Sequence, residues 1–103
     1  MAAPYNPPQK NEDFKIRIAL ESMSVPGSFQ VNPTIAAGDF TVDIDGAGFN
    51  NFATLPSVSP TGSEMVLLEL SAAEFNGDVI TLRAKDQTNP KEWADWIVSI
   101  PTT

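Results

Sequence analysis

Phe40-Thr-Val-Asp-Ile-Asp-Gly46 is the stretch from which the fold of this chain can be read. Phe40, Val42 and Ile44 alternate with Thr41, Asp43 and Asp45, so apolar side chains go to one face and small or charged ones to the other. That pattern predicts a half-buried β-strand. Asp45-Gly46 closes the strand, and an Asp-Gly pair takes the positive backbone angles of a tight hairpin turn. Gly48 adds further freedom, so Phe49 to Phe52 is expected to return as the partner strand.

The same alternation recurs on either side. Upstream, Phe14, Ile16 and Ile18 oppose Lys15 and Arg17, a second half-buried strand that ends near Pro26-Gly27. A weaker stretch, Ser28 to Val31, stops at the turn signal Asn32-Pro33. Downstream, Pro56, Pro60 and Thr61-Gly62 break the chain before Met65-Val-Leu-Leu-Glu-Leu70, whose Val66, Leu68 and Leu70 share a face; this strand is expected to be central. Ser71-Ala-Ala-Glu74 has capping-box spacing and predicts about one helical turn before Asn76-Gly77. Val79 to Lys85 sets Ile80, Leu82 and Ala84 against Thr81, Arg83 and Lys85, another strand. The last segment is ambiguous: Asn89-Pro90-Lys91-Glu92 could cap a helix, but the β-branched run Ile97-Val-Ser-Ile100 favours a strand over Glu92 to Ile100, ending at Pro101.

About seven short strands, frequent turns and one helical turn predict an all-β fold, an antiparallel β-sandwich of immunoglobulin-like topology over residues 14–103. Residues 1–13 read differently. Pro4, Pro7 and Pro8 stand among polar residues with Tyr5 as the large apolar group, which excludes a helix or central strand and predicts an extended arm.

Composition narrows the chemistry. The 103 residues carry 13 acidic and six basic side chains, a net charge of -7, with no Cys and no His. One domain is expected. The acidic balance repels phosphate backbones and anionic lipid, so no nucleic-acid or membrane partner is expected. Thiol nucleophiles, disulfides, zinc clusters and imidazole bases are excluded. No apolar run reaches the ~20 residues of a membrane span, and the first residues lack the basic-then-apolar order of a signal peptide. No cofactor is expected.

Three sharper readings can be weighed against plainer ones. Asp43-Ile-Asp45-Gly46 has carboxylates at alternate positions before a glycine, as calcium loops do, yet Ala47 and Phe49 follow where further ligands belong. Asp43 is more simply the solvent face of a strand and Asp45 a turn former. Trp93 and Trp96 could stack on a sugar, but in a strand their odd spacing points them to opposite faces, one into the core and one toward a partner. Catalysis would rest on carboxylates facing each other across a cleft, for which a thin sandwich has little room.

The succession Gly38-Asp-Phe-Thr-Val-Asp-Ile-Asp-Gly-Ala-Gly-Phe49, Leu55-Pro-Ser57, Met65 to Leu70, Ser71-Ala-Ala-Glu-Phe-Asn76 and Asp78-Val-Ile-Thr-Leu82 resembles a small β-sandwich module found in structural proteins of tailed bacteriophages. The resemblance covers about residues 14–100 and lies in the order of the pieces. It implies a non-catalytic virion component that assembles with copies of itself and with a larger major capsid, neck or tail protein. The sequence stops at Thr103 without a receptor-binding domain, which favours a decoration, adaptor or collar subunit over a host-binding tip. The alternative expectation is a carbohydrate-binding or adhesion module that uses an exposed Trp. On either reading Tyr5, Pro7, Pro8, Trp93 and Trp96 are the expected partner-binding residues, with Tyr5 anchoring the arm on a neighbouring subunit and the prolines lowering the entropy lost on docking.

Overall fold

A computed structural model describes residues 8–103. Tyr5 and Pro7, expected to bind a partner, lie outside the described residues, as does Pro4. Seven strands follow in order: β1 (Phe14–Ala19), β2 (Phe40–Ile44), β3 (Phe49–Asn51), β4 (Ser57–Val58), β5 (Met65–Leu70), β6 (Val79–Ala84) and β7 (Trp96–Pro101). They form two antiparallel sheets, one ordered β1-β5-β4 and the other β3-β2-β6-β7. The alternation read from the sequence fixes which residues face inward. Ile18, Val66, Leu68 and Leu70 from the first sheet meet Phe40, Val42, Ile80, Leu82, Ala84 and Ile100 from the second in a single buried cluster. The architecture is thus an all-β sandwich. β5 lies between β1 and β4, as its apolar run predicts.

The Asp-Gly hairpin forms between β2 and β3. Asp45 and Gly46 have φ of 55° and 80°, and the Ala47 N–H bonds to the Ile44 carbonyl at 3.1 Å. Positive φ at both central residues matches the turn to the right-handed twist of the strands. Beyond β3 the Phe52 N–H still reaches the Phe40 carbonyl at 3.2 Å, and the Phe52 ring packs 5.8 Å from that of Phe40.

Three local expectations change. The capping box at Ser71 forms, with the Ser71 N–H on Glu74 Oε1 (2.9 Å) and the Glu74 N–H on Ser71 Oγ (3.3 Å). It closes a single turn, with the Phe75 N–H on the Ser71 carbonyl at 3.1 Å, which Asn76-Gly77 ends before a helix develops; the other carboxylate oxygen of Glu74 accepts the Ala53 N–H at 2.9 Å. No helix occurs among the described residues. The final strand starts at Trp96 and not Glu92, since residues 86–95 are folded around the Asp86 carboxylate. Ser28 to Val31 contributes only an isolated bridge, Phe29 to Glu21.

Residues 8–13 are not a free arm. The Thr103 N–H bonds to the Pro8 carbonyl, the Lys10 N–H to Thr103, and the Asn11 N–H to Phe75, at 2.9, 3.1 and 3.0 Å. The Lys10 ammonium pairs with the Asp78 carboxylate, and Asp13 Oδ1 accepts from the Ala72 N–H at 2.9 Å. This stretch belongs to the domain it precedes.

Candidate interaction surface

The connection between β1 and β2, residues 20–39, presents Met23, Val25, Phe29 and Val31 to solvent, with Phe29 60% exposed. An apolar group left in water forgoes the stabilisation of burial, so four on one loop mark a surface suited to being covered. The loop is held in shape from beneath. Its base is a small hairpin in which the Gln30 N–H bonds to the Leu20 carbonyl (2.7 Å) and the Ser22 N–H to Ser28 (2.8 Å). The Glu21 carboxylate accepts the Gly27 N–H at 3.0 Å, where the chain turns at φ 90°. The Asn32 N–H bonds to Ser63, tying in the loop between β4 and β5.

The loop from β6 to β7 supports it from the other side. Met23 N–H donates to the Glu92 carbonyl (3.0 Å), Ala94 N–H to that of Glu21 (2.9 Å), and the Glu92 carboxylate accepts from the Thr34 N–H at 2.6 Å. Trp93 is fully enclosed beneath, its ring 5.8 Å from that of Phe40 and its indole N–H donated to the Thr34 carbonyl. Two buried carboxylates complete the join. Asp39 accepts from the N–H groups of Ala36 (2.8 Å) and Gln87 (3.0 Å), bridging the two loops. Asp86 accepts from Thr88 (2.9 Å) and Glu92 (2.7 Å). Burial opposes the charge on Asp86, but these backbone donors outweigh it and hold its carboxyl below the usual range.

The expected site residues do not converge here. Trp93, expected as a partner-binding residue, is a core residue and offers no face to a partner. Trp96 lies on β7, half-buried and packed against the same core. Pro8 is tied to Thr103. Asp43 is more than a solvent-facing strand residue: its two oxygens accept from Gly46 (3.0 Å) and Gly48 (2.7 Å), shaping the hairpin. Asp45 Oδ1 accepts from the N–H groups of Asp78 and Val79, both at 2.9 Å. Both carboxylates are spent on backbone, and no cluster of three acidic, His or Cys side chains suited to a metal occurs among the described residues.

The apolar loop was not legible as a site because its residues follow no period. Pro26-Gly27 and the surrounding serines read as punctuation, and only the tertiary fold reveals which apolar groups between them stay outside. Surface depressions among the described residues include two small ones. One of about 260 Å³ is lined by Ala37, Phe40, Phe52 and Leu55, and one of about 200 Å³ by Asp13, Lys15, Glu69 and Ser71. Both are smaller than the roughly 300 Å³ at which small-molecule sites begin. Compared with known proteins, the chain matches no family model, no curated protein and no solved structure.

Proposed function

We propose that this chain is a non-enzymatic structural subunit of a tailed-phage virion, binding a larger shell, neck or tail protein as a decoration, cement or adaptor subunit and assembling with copies of itself. The observation that carries the reading is the loop bearing Met23, Val25, Phe29 and Val31, exposed yet braced by Trp93, Asp39 and Asp86. A rigid apolar loop docks without losing the entropy that a mobile one would. The strand order supports an immunoglobulin-like topology: β1, β5 and β4 correspond to strands B, E and D of that fold, and β3, β2, β6 and β7 to C′, C, F and G. In that arrangement the loops joining B to C and F to G lie together at one end, as the bonded loops do here. With Trp93 enclosed, the sugar-binding alternative would rest on Trp96, which is half-buried on β7.

Mass spectrometry of purified particles tests the proposal. The chain is expected in virions at a fixed ratio to the major structural protein, and its absence from them would sink the reading. Copy number then separates a head decoration from a neck ring.

A further inference from the structure

The outer face of the sheet β1-β5-β4 extends past the strands themselves. On β1 the buried Ile18 alternates with the outward Arg17 and Ala19, and the alternation runs on through buried Leu20 and Ser22 to exposed Glu21 and Met23. Glu21 therefore stands on the same face as Arg17 and Ala19. Phe29 forms a bridge with Glu21 and shares that face. Leu20 and Ser22 bond to Gln30 and Ser28, whereas Glu21 and Met23 bond the other way, to Ala94 and Glu92. The Asn32 N–H reaches the Ser63 carbonyl just before β5, which sets Phe29 on the β5 side of Glu21.

Three levels result, each with one residue in line with β1 and one in line with β5. Arg17 stands beside Leu67, Ala19 beside Met65, and Glu21 beside Phe29. Arg17 and Glu21 lie equally far from Ala19, about 7 Å along the strand on either side, and carry opposite charges. Leu67 and Phe29 flank the level of Met65 in the same way, and both are apolar. The pattern is its own complement when reversed. One level further down, Lys15 opposes Glu69, so the face sets two cations against two carboxylates on a chain of net charge -7.

We propose that this face binds a second copy of the chain, sheet against sheet, about a two-fold axis that crosses the strands at the level of Ala19. Such an axis reverses the strand direction, so each level meets the one equally far on the other side. Arg17 meets Glu21 of the second copy and Leu67 meets its Phe29, each contact occurring twice, while Ala19 and Met65 meet their own counterparts. Facing sheets lie about 10 Å apart, a gap that an Arg and a Glu side chain span together and that two small Ala19 side chains leave open for Met65 and Leu67. Glu21 is held for this contact. One of its carboxylate oxygens accepts the Gly27 N–H at 3.0 Å, so less freedom is lost on pairing. Phe29, 60% exposed in the single chain, gains cover.

Charge favours a second copy over another partner. A surface of one sign would set either Arg17 or Glu21 against its like, whereas the reversed copy satisfies both. At physiological ionic strength the screening length is about 8 Å, so acidic groups elsewhere on the two copies repel weakly across the dimer. Val25, at the turn of its loop, lies beyond these levels and stays available to a larger protein. The inference rests on the self-association part of the proposed function alone. A dimer that failed to form would leave the particle test as it stands, and absence from particles would leave the dimer.

Sedimentation of the full chain at about 0.15 M salt, from roughly 10 µM to 1 mM, tests it. The mass should rise toward that of a dimer. Arg17→Glu and Glu21→Arg, each alone, should weaken association at least about tenfold, with folding checked by melting. Their equimolar mixture should dimerise, because every charged contact in the mixed pair again joins opposite signs. Ala19→Glu leaves the Glu21 bond to Gly27 intact, sets two carboxylates together on the axis, and should dissociate the dimer to a similar degree. A monomer at every concentration would overturn the proposal. So would a dimer indifferent to Ala19→Glu, or a mixture of the two folded charge variants no more associated than its parts.

Discussion

Trp93 donates its indole N–H to the Thr34 carbonyl at 3.2 Å, a bond between residues 59 apart in sequence that ties the β6–β7 loop to the loop carrying Phe29. The ring itself is fully buried against Phe40. Trp93→Phe keeps most of the apolar contact but orphans the carbonyl, and is expected to cost about 1–3 kcal/mol. Trp93→Ala adds a cavity and should cost about 3–5 kcal/mol. Urea titration measures both, and a neutral Trp93→Phe would show that the bond contributes little to the join.

Replacing Phe29 or Val25 by Asp should separate binding from folding. Both side chains are exposed, at 60% and 58%, so melting should shift by no more than about 0.5 kcal/mol equivalent. Incorporation into particles, or binding to the isolated shell, neck or tail protein, should fall at least about tenfold if the loop is the contact. Normal incorporation of both variants would move the contact elsewhere.

Asp86 gives the fold an acid-side dependence. Its folded carboxyl titrates below the ordinary value, so the unfolded chain binds the proton more readily. The associated stability is fully present above the unfolded value near 4 and is lost as pH falls through the folded one. Asp86→Asn leaves one acceptor and sets its amide against the second backbone donor, and should cost about 1–3 kcal/mol at pH 7. The gap between wild type and variant, read by denaturant melts at pH 7 and pH 3, should shrink in acid. An unchanged gap would assign the cost to packing alone.

Gly77 is needed for space. A Cβ there would sit 2.6 Å from Ile44 Cγ2 and 2.8 Å from Asp45 Oδ2, where the β2 turn crosses the start of β6. Gly77→Ala should destabilise by about 1–3 kcal/mol, because Asp45 is fixed by its bonds to Asp78 and Val79 and cannot yield freely. Gly27→Ala meets no atom within 4 Å and should cost about 1–2 kcal/mol through its φ of 90°. A neutral Gly77→Ala in thermal melts would mean that the turn relaxes.

Truncation tests whether residues 8–12 are part of the domain. Deleting residues 2–12 removes the bonds of Pro8, Lys10 and Asn11 to Thr103 and Phe75, together about 1.5–4 kcal/mol. Melting should drop by several degrees or more. A melting temperature that stayed constant would restore the reading of residues 8–12 as an arm independent of the sandwich.

Local pattern determined which residues form the strands, which face inward, and the one hairpin pairing of β2 with β3. The alternations at Phe14, Phe40, Met65 and Val79 carry through to β1, β2, β5 and β6 because a strand's side-chain period is a property of its own backbone. Asp45-Gly46 likewise specified its turn, since positive φ is a local preference. The fate of single side chains was decided by tertiary structure. Trp93 and Trp96 read as one inward and one outward residue on a shared strand, but Asp86 gathers the preceding loop so that Trp93 lies outside β7 and both pack on the core. Asp39 and Asp43, ordinary polar residues by sequence, became anchors because distant or turning backbone brought unpaired N–H groups to their oxygens. Met23, Val25, Phe29 and Val31 stayed outside for the converse reason: the two sheets fill their shared interior with side chains that alternate on schedule, and loop residues that follow no period have no place in it.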